Sequence, residues 1–169
     1  GEVSAGLLVG VGYSDENNPI EISGCFTDEN SSVESANCVG GLIGLVRNGS
    51  LSAKNCYSLA SLKNRTEYNA QTGGIAGQVW KNFTAENCYS VGARLCKEYW
   101  VETVFNYTNC YTDFSMVINE SPSGVTRLDF DEMTGRDAAK KMSLNTDVWR
   151  ADDKYPVLRV FAGENGDLN

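Results

Sequence analysis

At 169 residues the chain has room for one ordinary domain and a small appendage, and its 41% hydrophobic and 21% charged content sets it apart from disordered sequences. A net charge of −8 and a pI near 4.5 leave no basic stripe for nucleic acid or anionic lipid, and no apolar run approaches the ~18 residues that span a bilayer. Histidine is absent, which removes Ser–His and Cys–His nucleophiles together with the commonest metal ligand.

Gly1 and Glu2 open onto a strand-like run with neither an initiator Met nor a signal peptide, which suggests a mature or excised segment. The first copy of a repeat follows, with Ala5-Gly6-Leu7-Leu8-Val9-Gly10 as a glycine block and Ser23-Gly24-Cys25-Phe26-Thr27 as a cysteine block. Both blocks return in sharper form. Gly40-Gly41-Leu42-Ile43-Gly44 precedes Ala53-Lys54-Asn55-Cys56-Tyr57-Ser58, and Gly73-Gly74-Ile75-Ala76-Gly77 precedes Ala85-Glu86-Asn87-Cys88-Tyr89-Ser90. A fourth copy survives only as Thr108-Asn109-Cys110-Tyr111-Thr112. The segments Ser14–Pro19, Asp28–Ser35 and Asn64–Gln71 are polar and read as loops.

Within a copy, short strand-like runs such as Leu42–Val46, Leu51–Ala53 and Cys56–Ala60 are separated by Gly, Asn and Ser, and none has helical period. Such strands cannot bury an apolar face alone. Stacking successive units ~4.8 Å apart pairs every strand with its equivalent and gives one continuous core. The predicted fold is therefore all-β: a short right-handed parallel β-helix or β-solenoid of about three to four coils. In it, Gly40, Gly41, Gly73 and Gly74 take corners of positive φ, and Gly44 and Gly77 allow close backbone packing. The asparagines before Cys56, Cys88 and Cys110 take left-handed turns and stack as a ladder.

The pairing of Gly-Gly-Leu-Ile-Gly with a later Asn-Cys-Tyr-Ser resembles the GLUG-motif repeat of bacterial surface proteins, which include adhesin-like proteins and non-catalytic parts of immunoglobulin-A-cleaving metallopeptidases. The likeness is good over 40–92, weak over 5–27 and partial over 108–112. It implies a structural repeat and carries over no catalytic residue.

Repeats are expected over residues 1–126, in units near 5–27, 40–62, 73–93 and a partial 94–118. Residues 127–162 form a C-terminal cap and 163–169 a frayed tail. Thr134 as N-cap, Asp137 three residues on and a Met133–Ala138 staple predict a helix over 135–143. A turn at Asp152-Asp153-Lys154 then leads to a strand over Tyr155–Phe161. Covering the last coil would protect its open strand edges.

Cys25, Cys56, Cys88 and Cys110 hold one place in successive units, where ~4.8 Å rung spacing exceeds the ~3.8 Å between Cβ atoms in a disulfide, so a buried ladder of free thiols is expected. Cys38 and Cys96 lie outside it and are either bridged or free. Zinc is disfavoured because no C-x₂₋₄-C knuckle exists, calcium because no acidic loop has the required spacing, and no cofactor is implied. Asp129, Asp131, Glu132, Asp152 and Asp153 are the carboxylates a polysaccharide-cleaving β-helix would need, but their positions suit turns and helix starts better. Trp80, Tyr99, Trp100, Phe105 and Tyr107 read as core filling in preference to a sugar or protein contact site, and Tyr57, Tyr89 and Tyr111 as an outward stacked stripe. Asn30, Asn48, Asn64, Asn82, Asn106 and Asn119 match the glycosylation pattern as chance occurrences.

The functional expectation is a non-enzymatic stalk, adhesion or interaction module of a cell-surface or secreted bacterial protein. Its partners would be host or extracellular proteins or glycans, with no nucleic acid and no membrane insertion. No catalytic, metal-binding or specific ligand-binding residue is assigned. The alternatives are a carbohydrate-binding or polysaccharide-degrading domain and an accessory domain of a larger surface peptidase.

Overall fold

The structure, a computed structural model, describes residues 3–15, 17–66, 71–97, 103–114 and 123–161. Short strands dominate it. The first repeat supplies β1 (Ser4–Gly6), β2 (Val9–Tyr13), β3 (Ile20–Ser23) and β4 (Phe26–Thr27). The second supplies β5 (Ser32–Ser35), β6 (Cys38–Gly40), β7 (Ile43–Arg47), β8 (Leu51–Lys54) and β9 (Tyr57–Ser58). The third repeats that set as β10 (Ser61–Asn64), β11 (Gln71–Gly73), β12 (Ala76–Val79), β13 (Asn82–Glu86) and β14 (Tyr89–Ser90). Beyond them lie β15 (Val104–Thr108), β16 (Cys110–Thr112) and β17 (Val125–Arg127).

Each strand pairs in parallel with its equivalent in the neighbouring repeat, giving an all-β chain of parallel sheets. Their orders are β1-β6-β11, β2-β7-β12, β5-β10, β3-β8-β13-β15 and β4-β9-β14-β16-β17. Gly40 faces Gly73, Ala53 faces Ala85, and Tyr57 and Tyr111 flank Tyr89. The sheet containing β5 and β10 was missed in the sequence, where Asp28–Ser35 reads as a polar loop. Its Ser32-Val33-Glu34-Ser35 strand buries little beyond Ser35, so it carries almost no apolar signal.

The register is fixed locally at the turn before each cysteine. Asn55, Asn87 and Asn109 have φ of 51°, 52° and 53°, and Gly24 takes the same place in the first repeat with φ 63°. Asn and Gly are the residues that enter this left-handed region at least cost. The Asn109 amide donates to the Asn87 side-chain oxygen at 2.8 Å, one rung of the expected ladder.

Gly40, Gly41, Gly73 and Gly74 serve another purpose than the positive-φ corners expected of them; none of the four has positive φ. Their constraint is space. A Cβ on Gly41 would lie 2.1 Å from the Ser58 hydroxyl, and one on Gly74 would lie 2.3 Å from the Ser90 Cβ. The glycine block and the Asn-Cys-Tyr-Ser block recur together because the second glycine of one meets the serine of the other. Gly44 and Gly77 do permit close packing, since a Cβ on Gly77 would fall 2.5 Å from the Gly44 carbonyl oxygen.

Side chains alternate along these strands, so one set from each rung fills an inner core. Leu51, Phe83, Ala53, Ala85, Cys56, Cys88 and Cys110 are all buried there. A fully buried Phe or Leu contributes roughly 1.5–3 kcal/mol relative to exposure.

The C-terminal segment forms α1 (Phe130–Met133), α2 (Ala138–Lys141), the antiparallel pair β18 (Trp149–Arg150) and β19 (Val157–Leu158), and a 3₁₀ turn over Arg159–Phe161. The helical region differs from the single predicted helix over 135–143. Asp129 is the N-cap of α1, with Glu132 completing its capping box, and Gly135 at φ 84° separates two four-residue helices. Thr134 instead ends α1, donating its hydroxyl to the Phe130 carbonyl at 2.8 Å. The predicted strand over Tyr155–Phe161 shortens to two residues because Arg159 already turns.

This segment also lies elsewhere than over the last repeat. It crosses the outward face of the β4-β9-β14-β16-β17 sheet, where Met133, Met142, Trp149 and Leu158 pack on Tyr57, Tyr89 and Tyr111. The aromatic stripe supplies the physical reason: its outward rings are a larger apolar surface than a strand edge and draw the arm sideways. The tail beyond Phe161 lies outside the described residues.

Candidate functional site

All six cysteines are free thiols, with Cys25 half-buried and the others buried. The Cys25, Cys56 and Cys88 carbonyls accept from the backbone N–H groups of Tyr57, Tyr89 and Tyr111 at 3.0–3.1 Å, which stacks the four ladder positions in register. Each ladder thiol lies within hydrogen-bond reach of the carbonyl two residues back, at 3.2 Å for Cys56 and Lys54 and 3.3 Å for Cys88 and Glu86. Burial pushes the Cys88 thiol well above its ordinary range, which suits an inert packing group. Cys38 lies 3.4 Å from the Gln78 side-chain oxygen, and burial raises its pKa as well.

The outward stripe consists of Phe26, Tyr57, Tyr89 and Tyr111. Successive rings Phe26–Tyr57 and Tyr57–Tyr89 stack with centroids 5.1 and 5.0 Å apart. Burial raises the pKa of Tyr57 and Tyr89, and Tyr89 donates its hydroxyl to the Pro156 carbonyl at 2.6 Å. With the arm over Tyr57, Tyr89 and Tyr111, these three rings belong to a second core, and Phe26 at its margin is half-buried.

The candidate carboxylates are not drawn into a common cleft. Asp129 and Glu132 cap α1, and Asp131 is exposed in its first turn. Asp153 pairs with Arg136 at 3.4 Å, while the Asp152 carboxylate accepts the Asp153 N–H in the turn between β18 and β19. Among the described residues no cluster of three or more His, Cys, Asp and Glu is placed to hold a metal ion. No described helix is long and apolar enough to cross a membrane.

Of the aromatics singled out in sequence, Tyr107 is buried in the inner core and Phe105 packs against it. Both meet the Phe83 ring edge-on. Trp80 stacks under the Arg47 guanidinium at 5.2 Å, and Tyr99 and Trp100 lie outside the described residues. Of the Asn-x-Ser/Thr positions, Asn30, Asn48 and Asn106 are exposed, Asn64 and Asn82 are half-buried, and Asn119 lies outside the described residues.

Among the described residues the open face of the first repeat carries several exposed apolar side chains, which sequence reasoning did not single out. β1, β2, β3 and β4 are each the outermost strand of a sheet. Positions that are core elsewhere are bare there. Leu8 is 53% exposed, whereas the residues it aligns with, Leu42 and Ile75, are 1% and 0% exposed. Val3, Leu7, Val11 and Tyr13 join it as exposed apolar side chains. A groove of about 510 Å³ runs between Leu7, Leu8, Cys25, Phe26, Leu42 and Phe161. Charge is equally uneven: residues 1–46 contain seven acidic residues and no Lys or Arg. A charge count taken along the chain, instead of over its whole length, is the signal that would have drawn attention to this end.

No protein-family model, curated protein or solved structure matches this chain.

Proposed function

We propose that the chain is a non-enzymatic repeat module of a bacterial cell-surface or secreted protein, built as a short right-handed β-solenoid of GLUG type and acting as a stalk or interaction domain. The observation carrying this reading is the parallel register in which Gly40 meets Gly73 and Tyr57 meets Tyr89, because it devotes the recurring motif residues to stacking. The accommodation of Gly41 to Ser58 and of Gly74 to Ser90 supports it, since both signature blocks are then structural. Thiols stacked as a ladder and carboxylates engaged in capping and turns support it as well, since both have structural roles.

Two experiments test the reading. Inserting a second copy of residues 65–96 should lengthen the particle by one rung, about 4.8 Å along the stacking axis, in small-angle scattering. An unchanged length with a wider cross-section contradicts the solenoid. Incubation with acidic polysaccharides should release no new chain ends. Cleavage that disappears in Asp129→Asn, Asp131→Asn or Asp152→Asn contradicts the non-enzymatic role.

A further inference from the structure

We propose that the cysteine ladder is a built site for a soft divalent cation that takes two thiolates in line, mercuric ion being the simplest, with one ion between Cys25 and Cys56 and a second between Cys88 and Cys110. This assignment goes beyond the module reading and does not depend on it.

Register brings the ligands together. The Cys25, Cys56 and Cys88 carbonyls each accept the N–H of the residue after the next ladder cysteine, so the four thiols sit one rung apart. Successive side chains also hydrogen-bond to one another, Cys25 with Cys56, Cys56 with Cys88 and Cys88 with Cys110, which leaves no other atom between them. The spacing that is too wide for a disulfide suits a metal bridge. A zinc–thiolate bond is about 2.3 Å, and two bonds of that length end to end span about 4.6 Å, against ~4.8 Å between rungs.

The column offers each ion two sulfurs, one above and one below. Zinc takes four ligands in a tetrahedron, and among the described residues no cluster of three or more His, Cys, Asp and Glu supplies them. Thiolates select a soft ion. Burial selects its charge: Cys56, Cys88 and Cys110 are 0% exposed, so an unbalanced charge among them is costly, and a divalent ion held by two thiolates leaves none. Each capture breaks two S–H bonds, forms two metal–sulfur bonds and releases two protons to water.

Those protons are not needed where they are. The Cys56, Cys88 and Cys110 thiols approach the carbonyls of Lys54, Glu86 and Thr108, which already accept the backbone N–H groups of Gly24, Asn55 and Asn87 at 3.0, 2.9 and 3.0 Å. Losing the thiol protons therefore orphans none of these acceptors. Burial disfavours a free thiolate at Cys88, but a coordinating ion displaces the proton as it binds, so no free thiolate is required.

The test incubates the whole chain with mercuric chloride until uptake is complete, adds excess glutathione, and counts the retained ions by native mass spectrometry. Two ions per chain are expected. Thiols outside the ladder hold mercury through one protein bond and should surrender it to glutathione, whereas a preset pair recaptures the ion whenever one bond opens. Cys56→Ala or Cys88→Ala should each lower the count to one, and Cys38→Ala should leave it at two. X-ray absorption on the unaltered chain should show two sulfur neighbours per retained ion, and it remains decisive if a variant does not fold.

No retained ion, a count indifferent to Cys56→Ala and Cys88→Ala, or one sulfur with chloride or oxygen at the metal would overturn the proposal. Retention accompanied by loss of the β-sheet circular dichroism would overturn it too, because the ion would then be held by unfolded chain. Polysaccharide cleavage would refute the module reading, whereas failure to retain mercury refutes this site alone.

Discussion

The two cores of this protein are assembled by different rules. The inner core is periodic: Leu51, Phe83 and Phe105 occupy one ladder, Ala53, Ala85 and Tyr107 the next, and the cysteines a third. The outer core is periodic on one side only, where Phe26, Tyr57, Tyr89 and Tyr111 stack. The other side is the irregular arm with Met133, Met142, Trp149 and Leu158. A repeat can therefore generate two buried surfaces from alternate residues of the same strands. The first needs only more copies of itself, and the second needs a different element to close it.

Several changes should separate the two cores, beginning with the largest. Trp149 is fully buried between the Tyr57 and Tyr89 rings, with centroids 5.8 and 5.7 Å away. Trp149→Ala should cost about 3–5 kcal/mol in urea unfolding. If the arm and repeats separate as units, fluorescence of the tyrosine stripe should change at lower urea than backbone circular dichroism.

Gly41→Ala acts on the repeat side. Its new Cβ would lie 2.3 Å from the Gly74 carbonyl oxygen, a backbone atom, and should destabilise the chain by about 1–3 kcal/mol in thermal unfolding. Asn87→Ala forces a left-handed turn on a residue that resists it, at about 1–2 kcal/mol, and Asn87→Gly should cost less.

The last separation is by pH. Burial holds the folded Tyr89 pKa above the ordinary value near 10. Its contribution is therefore complete below pH 10 and is lost as pH rises, because the unfolded chain ionises first. Tyr89 alone should contribute a loss of about 1.4 kcal/mol per pH unit above pH 10, to which Tyr57 adds in the same direction, followed by urea midpoints between about pH 9.5 and 11. Tyr89→Phe should lose the hydrogen bond to Pro156, about 1 kcal/mol at neutral pH, and show a shallower alkaline decline.

The periodic half of this architecture was legible in the sequence because it is written more than once. Equivalent asparagines before Cys56, Cys88 and Cys110, and the alternation that sends Cys88 inward and Tyr89 outward, follow from spacing and backbone chemistry. The glycine pairs were harder. Their need for space against Ser58 and Ser90 depends on contacts 16 or 17 residues away in sequence, which no local turn rule contains. The arm was legible only as elements. A Thr134-x-x-Asp137 pattern competes with Asp129-x-x-Glu132, and the latter prevails because Glu132 reaches back to the Asp129 N–H at 2.9 Å. Where the arm docks could not be read, since nothing in Trp149 or Met142 names the stripe that buries them. The open face of the first repeat escaped notice because the sequence gives Leu8 the same apolar character as Leu42, and only the missing neighbour above it makes it exposed.

Rung-to-rung register underlies every part of this account, and methyl–methyl nuclear Overhauser contacts read it most directly. In selectively methyl-labelled protein, Ala53 and Ala85 should give a strong cross-peak, as expected for facing residues in adjacent parallel strands. Its absence, with either methyl instead contacting residues several positions away from its partner, would contradict the stacked arrangement.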